Sequence, residues 1–251
     1  MLDIKEGMEI SHVADLPGRT GLGSSSSFTV GLLKALHALH GDRVTPEDLA
    51  QQAIEIERNR IGDPGGHQDQ YAAAYGGFAR IDFCTDGRAL VRKIPVSAQR
   101  LRELEDNLML FFTGVEQSSG DILSEQNRKT HQNRSALKKM CKMVDKAESI
   151  LTNAGDLSQF GCLLHDAWEL KKGLASKISN PMIDDCYTEA MTAGALGGKI
   201  LGAGGRGFML LYVPQQYKSS VRAALRKLKE VPLSLTDEGS RVIFSDEGVV
   251  R

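Results

Sequence analysis

Several protein classes are excluded by what this sequence has little of. Only four of its 251 residues are cysteine: Cys84, Cys141, Cys162 and Cys186. None lies within clip spacing of another and no CxxC occurs, so neither a disulfide framework nor a cysteine zinc clip is expected. The thiols read as reduced, in a cytoplasmic protein. Charge of one sign is also missing: 31 basic and 32 acidic residues leave a net charge of -1, which disfavours a dedicated nucleic-acid or membrane-surface binder. Aromatics are 6% of the chain and no basic stripe interleaves them, a second argument against nucleic acid. No apolar run reaches the ~18 residues of a membrane span, and MLDIKEGMEI shows no basic-then-apolar leader pattern. With 41% hydrophobic and 25% charged residues, the composition is that of a globular protein of one large or two small domains.

What is present is glycine, concentrated in a few places. The stretch DLPGRTGLGSSSSFTVGLLKAL (15–36) puts three glycines and four serines before an amphipathic segment. Phe28, Leu32, Leu36 and Leu39 recur at helical spacing, Leu33 widens the stripe, and Gly41 stands where a helix would stop. The serines therefore fall at a helix N-terminus, where unpaired N–H groups and the helix dipole favour an anion and glycine lets the backbone approach it. No GxxxxGK[ST] is present, and the loop taken alone is equally a capped turn.

The rest of the chain alternates helix and strand. EISHVADL (9–16) reads as a short strand. Thr45-Pro46 opens a helix carrying Leu49, Ala53, Ile56 and Arg60, which GDPGG (62–66) breaks. QDQYAAAY (68–75) reads as a short helix, FARIDF (78–83) and RALVRKI (88–94) as a hairpin around TDG, and LMLFFTG (108–114) as a buried strand. Helices are expected over 121–152 and 157–174, and a third starts at Asn180-Pro181. KIL (199–201) and FMLLYV (208–213) flank a glycine turn, followed by a helix over 214–230 and a strand at RVIF (241–244). The pattern is α+β, with a domain change between about 100 and 125.

Three segments resemble, in order and spacing, the signatures of the GHMP kinases. PxxxGLGSS (Pro17, Gly21, Leu22, Gly23, Ser24, Ser25) is similar to the second signature, GDPGGHQDQYAAAYGG (62–77) to the catalytic-aspartate segment, and KILGAGGRGFMLLYVP (199–214) to the third. Together with Ile178–Asp184 they look closest to the sugar-kinase branch that includes D-glycero-D-manno-heptose 7-phosphate kinase. The resemblance implies a two-domain architecture: a truncated N-terminal part like ribosomal protein S5 domain 2 over 1–115, and a ferredoxin-like C-terminal part over 116–251. It implies transfer of the ATP γ-phosphate, with Mg²⁺, to a sugar-phosphate hydroxyl, the anomeric hydroxyl of the heptose being the specific expectation. Gly21, Leu22, Gly23, Ser24, Ser25 and Ser26 would hold the nucleotide, and Ser25 and Glu57 the metal, although Glu57 reads equally well as a solvated charge in EIERNR. Asp69 would be the catalytic residue and touch the substrate, its alternative being an N-cap. Thr113, Gly114, Gly202, Ala203, Gly204 and Gly205 would line the acceptor. His67 and Lys171-Lys172 read as substrate contacts or as solvated side chains.

Two features depart from the family. Arg206 occupies a position that is usually glycine, so it either keeps a negative φ or contacts a phosphate. The first signature, R-x-P-x-R-hydrophobic, does not occur. The expectation is a fragment, a split protein or a degenerate relative, and either a homo-oligomer or a partner chain covering the absent strands.

Overall fold

The computed structural model describes residues 7–18, 20–114 and 119–245. They gather into two compact units: one from the N-terminal stretch, Gly23–Arg92 and the chain from Thr236 on, the other from Lys93–Leu235 and the short stretch ending at Leu22.

The first unit holds three helices, α1 (Ser24–Leu39), α2 (Pro46–Ile54) and α3 (Gln68–Tyr75), and a hairpin of β1 (Ala79–Phe83) and β2 (Ala89–Lys93). Thr45 caps α2 through a reciprocal box with Asp48, and Pro46 takes the first helical position, where its missing N–H costs nothing. Val30, Leu33, Leu49, Ala50, Ala53, Tyr71 and Ala74 form the core. The buried face of α1 is thus Ser26, Val30, Leu33 and His37; of the predicted stripe Leu33 is buried, whereas Phe28 and Leu39 are 40% and 66% exposed. Polar residues can share that face because they are hydrogen-bonded there: the His37 ring bonds Asp42 and Gln52. Residues 9–16 form no strand. The hairpin has two strands among the described residues, and Phe83 and Leu90 remain exposed.

The chain from Thr236 straps the end of α3. Ser240 donates its N–H to Ala73 O at 2.9 Å. Gly76, at φ 62°, lies so close to the strap that a Cβ there would be 2.1 Å from the Glu238 carbonyl carbon. RVIF is not a strand; it joins neither of the two sheets among the described residues.

The second unit is built on a four-stranded antiparallel sheet of β3 (Leu108–Gly114), β4 (Gly197–Ile200), β5 (Gly207–Tyr212) and β6 (Lys229–Val231), in the order β4-β5-β3-β6. Leu110 stands opposite both Leu210 and Val231, and Ile200 opposite Met209. This order and the interleaved helices are the ferredoxin-like βαββαβ arrangement. The helices are α4 (Ala98–Asp106), α5 (Ser119–Arg128), α6 (Arg134–Thr152), α7 (Ser158–Lys172), α8 (Pro181–Thr192) and α9 (Lys218–Ala224). Met109, Phe111, Met209 and Leu211 meet Trp168, Ile178, Ile183, Tyr187, Val221 and Leu225 in the core.

The structure departs from the elements expected of the sequence in four further places. α4, capped by the Ser97 hydroxyl, was not foreseen. The helix expected over 121–152 is two helices. The helix expected over 214–230 stops at Ala224, because Lys229–Val231 pair with β3. β3, expected to close the N-terminal part, is a strand of the second unit's sheet.

Candidate functional site

Glu57 is the centre of a polar cluster inside the first unit. It is 3% exposed, and it sits in a π-helical turn, Glu55–Arg60, that continues α2; such turns recur at functional sites. Its carboxylate accepts from the Ser25 hydroxyl on Oε1 at 2.7 Å and from the Ser26 hydroxyl on Oε2 at 2.8 Å. Thr29 adds a hydroxyl at 3.3 Å and Gln70 an amide N–H. The solvated reading of Glu57 is therefore excluded. The serines come from the first turn of α1 and Gln70 from the first turn of α3, so the carboxylate ties two helix N-termini together.

All four donors are neutral. A buried carboxylate without a cation is undercompensated, and the Oε1 of fully buried Gln70 has no partner. Both observations fit a hard divalent cation with oxygen ligands. Ser25 qualifies as a ligand beside Glu57: a hydroxyl that donates its proton to a carboxylate keeps lone pairs for a metal. Among the described residues no three His, Cys, Asp or Glu could form a metal site by themselves. The donor set thus suits Mg²⁺, which is held through one or two carboxylates with phosphate and water completing the shell.

Asp69 lies beside this cluster, one residue before Gln70. The cap position of α3 is His67, so Asp69 is in the first turn and is not the N-cap. Its carboxylate packs against Gly23: a Cβ at Gly23 would stand 3.4 Å from Asp69 Cβ and Cγ and 3.6 Å from Oδ2. Gly23 is the N-cap of α1, left-handed at φ 67°. The first helical bond of α1 runs from the Ser27 N–H to Gly23 O at 2.9 Å, which leaves the N–H groups of Ser24, Ser25 and Ser26 uncommitted to the helix. The segment before Asp69 is held by Arg58, which donates to Asp63 and to Gly66 O. Partial desolvation and the nearby Arg58 lower the His67 pKa from the usual histidine value.

Thr20, Gly21 and Leu22 belong to the second unit, where they meet the third glycine motif. A Cβ at Gly21 would stand 2.6 Å from Leu201 O, one at Gly202 2.5 Å from Gly21 Cα, and one at Gly207 2.3 Å from Thr20 O. These are backbone-on-backbone contacts that only glycine permits. The loop's carbonyls are tied to their own unit. Gly202 O accepts from Lys171, Gly205 O from Asn180 at 2.7 Å, and Gly207 O from Thr113 at 3.0 Å. Thr113 thus spends its hydroxyl proton on the loop, and Lys171 is a loop anchor, not a solvated helix face. Gly202, Gly204, Gly205 and Gly207 of the loop all take positive φ, which is where glycine is favoured.

Sequence reading missed Gln70 and Thr29. Glu57 carried a usable signal: it continues the buried stripe of Ala50, Ala53 and Ile54 at i+3 and i+4 spacing, where Glu55 does not.

Comparison with known proteins agrees with this arrangement. Residues 1–77 match the GHMP kinases N-terminal domain and residues 136–232 the GHMP kinases C-terminal domain, which together take in most of the chain. The protein belongs to the GHMP kinase family. Among its relatives, D-glycero-alpha-D-manno-heptose 7-phosphate kinase of Campylobacter jejuni is 33% identical over 216 residues, covering 85% of this chain and 63% of the relative. The crystal structure of a D-glycero-D-manno-heptose 1-phosphate kinase from Bacteroides thetaiotaomicron superposes with a TM-score of 0.63 at 29% identity, over 92% of this chain and 66% of that one. Lactococcus lactis galactokinase, at 18% identity and a TM-score of 0.68 over 90% of this chain and 69% of its own, shares the fold. The chain thus spans a little under two thirds of the first of these relatives. Among the described residues no helix is long and apolar enough to cross a membrane.

Proposed function

We propose that this chain carries the phosphotransfer site of an ATP-dependent sugar kinase whose acceptor is D-glycero-D-manno-heptose 7-phosphate, phosphorylated at the anomeric hydroxyl. The observation that carries the reading is the Asp69 carboxylate packed on Gly23, at the uncommitted N-terminus of α1 and next to buried Glu57. The N–H groups of Ser24 to Ser26 and the α1 dipole hold the ATP phosphates. Ser25 and Glu57 would hold Mg²⁺, which when bound would neutralise charge on the phosphate oxygens. Asp69 accepts the proton of the attacking hydroxyl, or fixes its direction, and Gly23 leaves the space in front of it open. The acceptor assignment draws on the Campylobacter jejuni relative.

The test is ATP consumption by the purified chain with Mg²⁺ and heptose 7-phosphate, mannose, galactose or mevalonate, beside Asp69→Asn. Turnover with the heptose phosphate is expected, and a fall of about 100- to 10,000-fold in the variant. Turnover that survives Asp69→Asn would remove the catalytic assignment. Nucleotide binding without turnover on any acceptor would overturn the kinase reading in favour of a nucleotide-binding relative.

A further inference from the structure

We infer that Arg206 and the backbone around it form a recognition site for the phosphate monoester of the acceptor, a specificity element of the third glycine loop. The inference rests on the kinase reading above for the identity of the ligand but not for the existence of the anion site. Three observations within the second unit carry it.

The first is the direction of the loop's peptides. Gly202 O is turned to Lys171 and Gly205 O to Asn180. Among the described residues no peptide bond is cis, so in each of these peptide units the N–H points opposite to the anchored carbonyl. The N–H groups of Ala203 and Arg206 therefore face away from the anchors, and neither finds a backbone acceptor among the described residues. Consecutive glycines at φ 107° (Gly204) and φ 81° (Gly205) lie between them, and such turns concentrate N–H groups into anion-binding concavities.

The second is the side chain itself. Arg206 is exposed and makes no ion pair among the described residues. The third is the room made for the guanidinium. It lies over Gly114 at the end of β3, where a Cβ would be 3.5 Å from Nη1; Gly114 has φ 120° and bears no side chain to cover it. A guanidinium with no ion-pair partner among the described residues, on the same short loop as two N–H groups turned away from their anchored carbonyls, is a donor set for a doubly charged oxyanion, and the planar fork suits a phosphate better than a neutral hydroxyl.

Two sources carry such a group, the acceptor's phosphate and the triphosphate of ATP, and the experiment separates them. Calorimetric binding of heptose 7-phosphate, the unphosphorylated heptose and ATP to the chain is compared with binding to Arg206→Gln and Arg206→Lys, with melting curves confirming that both variants fold. The expected result is a weakening of about 10- to 100-fold for the phosphorylated sugar alone in Arg206→Gln, with partial recovery in Arg206→Lys, which keeps the charge and loses the fork. Loss of ATP affinity, an equal loss for both sugars, or no loss would each overturn the assignment, as would absence of any sugar-phosphate binding to the unaltered chain. Failure of the kinase reading shows differently: the phosphorylated sugar binds in an Arg206-dependent way while no ATP is consumed.

Discussion

Replacing Gly23 by alanine separates the two things that this glycine does. Its φ of 67° and ψ of 24° place it in the left-handed region, which costs an L-residue about 1–2 kcal/mol. The new methyl would lie 3.4 Å from Asp69 Cβ and Cγ and 3.6 Å from Oδ2. These are ordinary contacts, so no clash adds to the backbone term. For a chain of this size the apparent melting temperature should fall by about 2–8 °C. Activity should suffer far more. An attacking hydroxyl must come within roughly 2.6–3.2 Å of the Asp69 carboxylate, and a displacement of about 1 Å costs on the order of 100-fold in rate. Gly41→Ala is the control, because Gly41 has φ 79° but nothing within 4 Å of a Cβ. It should lose the same stability and no turnover. Thermal melts and ATP turnover under saturating acceptor, measured on both variants, decide the matter. If Gly23→Ala keeps its rate, or if both variants lose rate in proportion to stability, Gly23 does not shape the space in front of Asp69.

Three other perturbations have defined outcomes. Glu57→Gln puts an amide N–H among hydroxyl and amide donors that now share a carboxylate; it should cost about 1–3 kcal/mol by urea denaturation and raise the Mg²⁺ needed for half-maximal turnover by about 10- to 100-fold, and an unchanged Mg²⁺ dependence would detach Glu57 from the metal. Gly207→Ala drives a methyl to 2.3 Å from the Thr20 carbonyl oxygen, where Gly87→Ala at φ 86° meets nothing within 4 Å; the first should cost about 3–5 kcal/mol and the second about 1–2 kcal/mol, and equal costs would show that the two glycine segments do not touch. Glu125, bonded to Lys129 and to the Ser176 hydroxyl and N–H, has its pKa lowered to about 2 from an ordinary 4.5; the unfolded chain binds the extra proton first, so this stabilisation is whole above about pH 4.5 and lost as pH falls toward 2, and Glu125→Gln should flatten the acid limb of a plot of urea midpoint against pH.

The sequence by itself determined the parts whose causes are local. The Thr45-Pro46 and Asn180-Pro181 caps form as read, since a cap needs only its own turn. The glycine-serine loop opens a helix, the turn between β4 and β5 is glycine-rich, and three ordered signatures were enough to place the chain in its family. Only the tertiary structure decided which face of α1 is buried, because Phe28 and His37 are equally well placed on a helix until a neighbouring Gln52 supplies a partner. It also turned Lys229–Val231 into a strand, through pairing with a β3 more than a hundred residues away. Glu57 is the clearest case at the site. Its residue type reads as solvated, and what makes it a candidate metal ligand is a set of hydroxyl and amide groups from two other helices, arriving from 28 to 32 residues upstream and 13 downstream. The stripe of Ala50, Ala53 and Ile54 marks Glu57 as facing inward, but nothing in the sequence names its distant partners, which packing alone brings to one carboxylate.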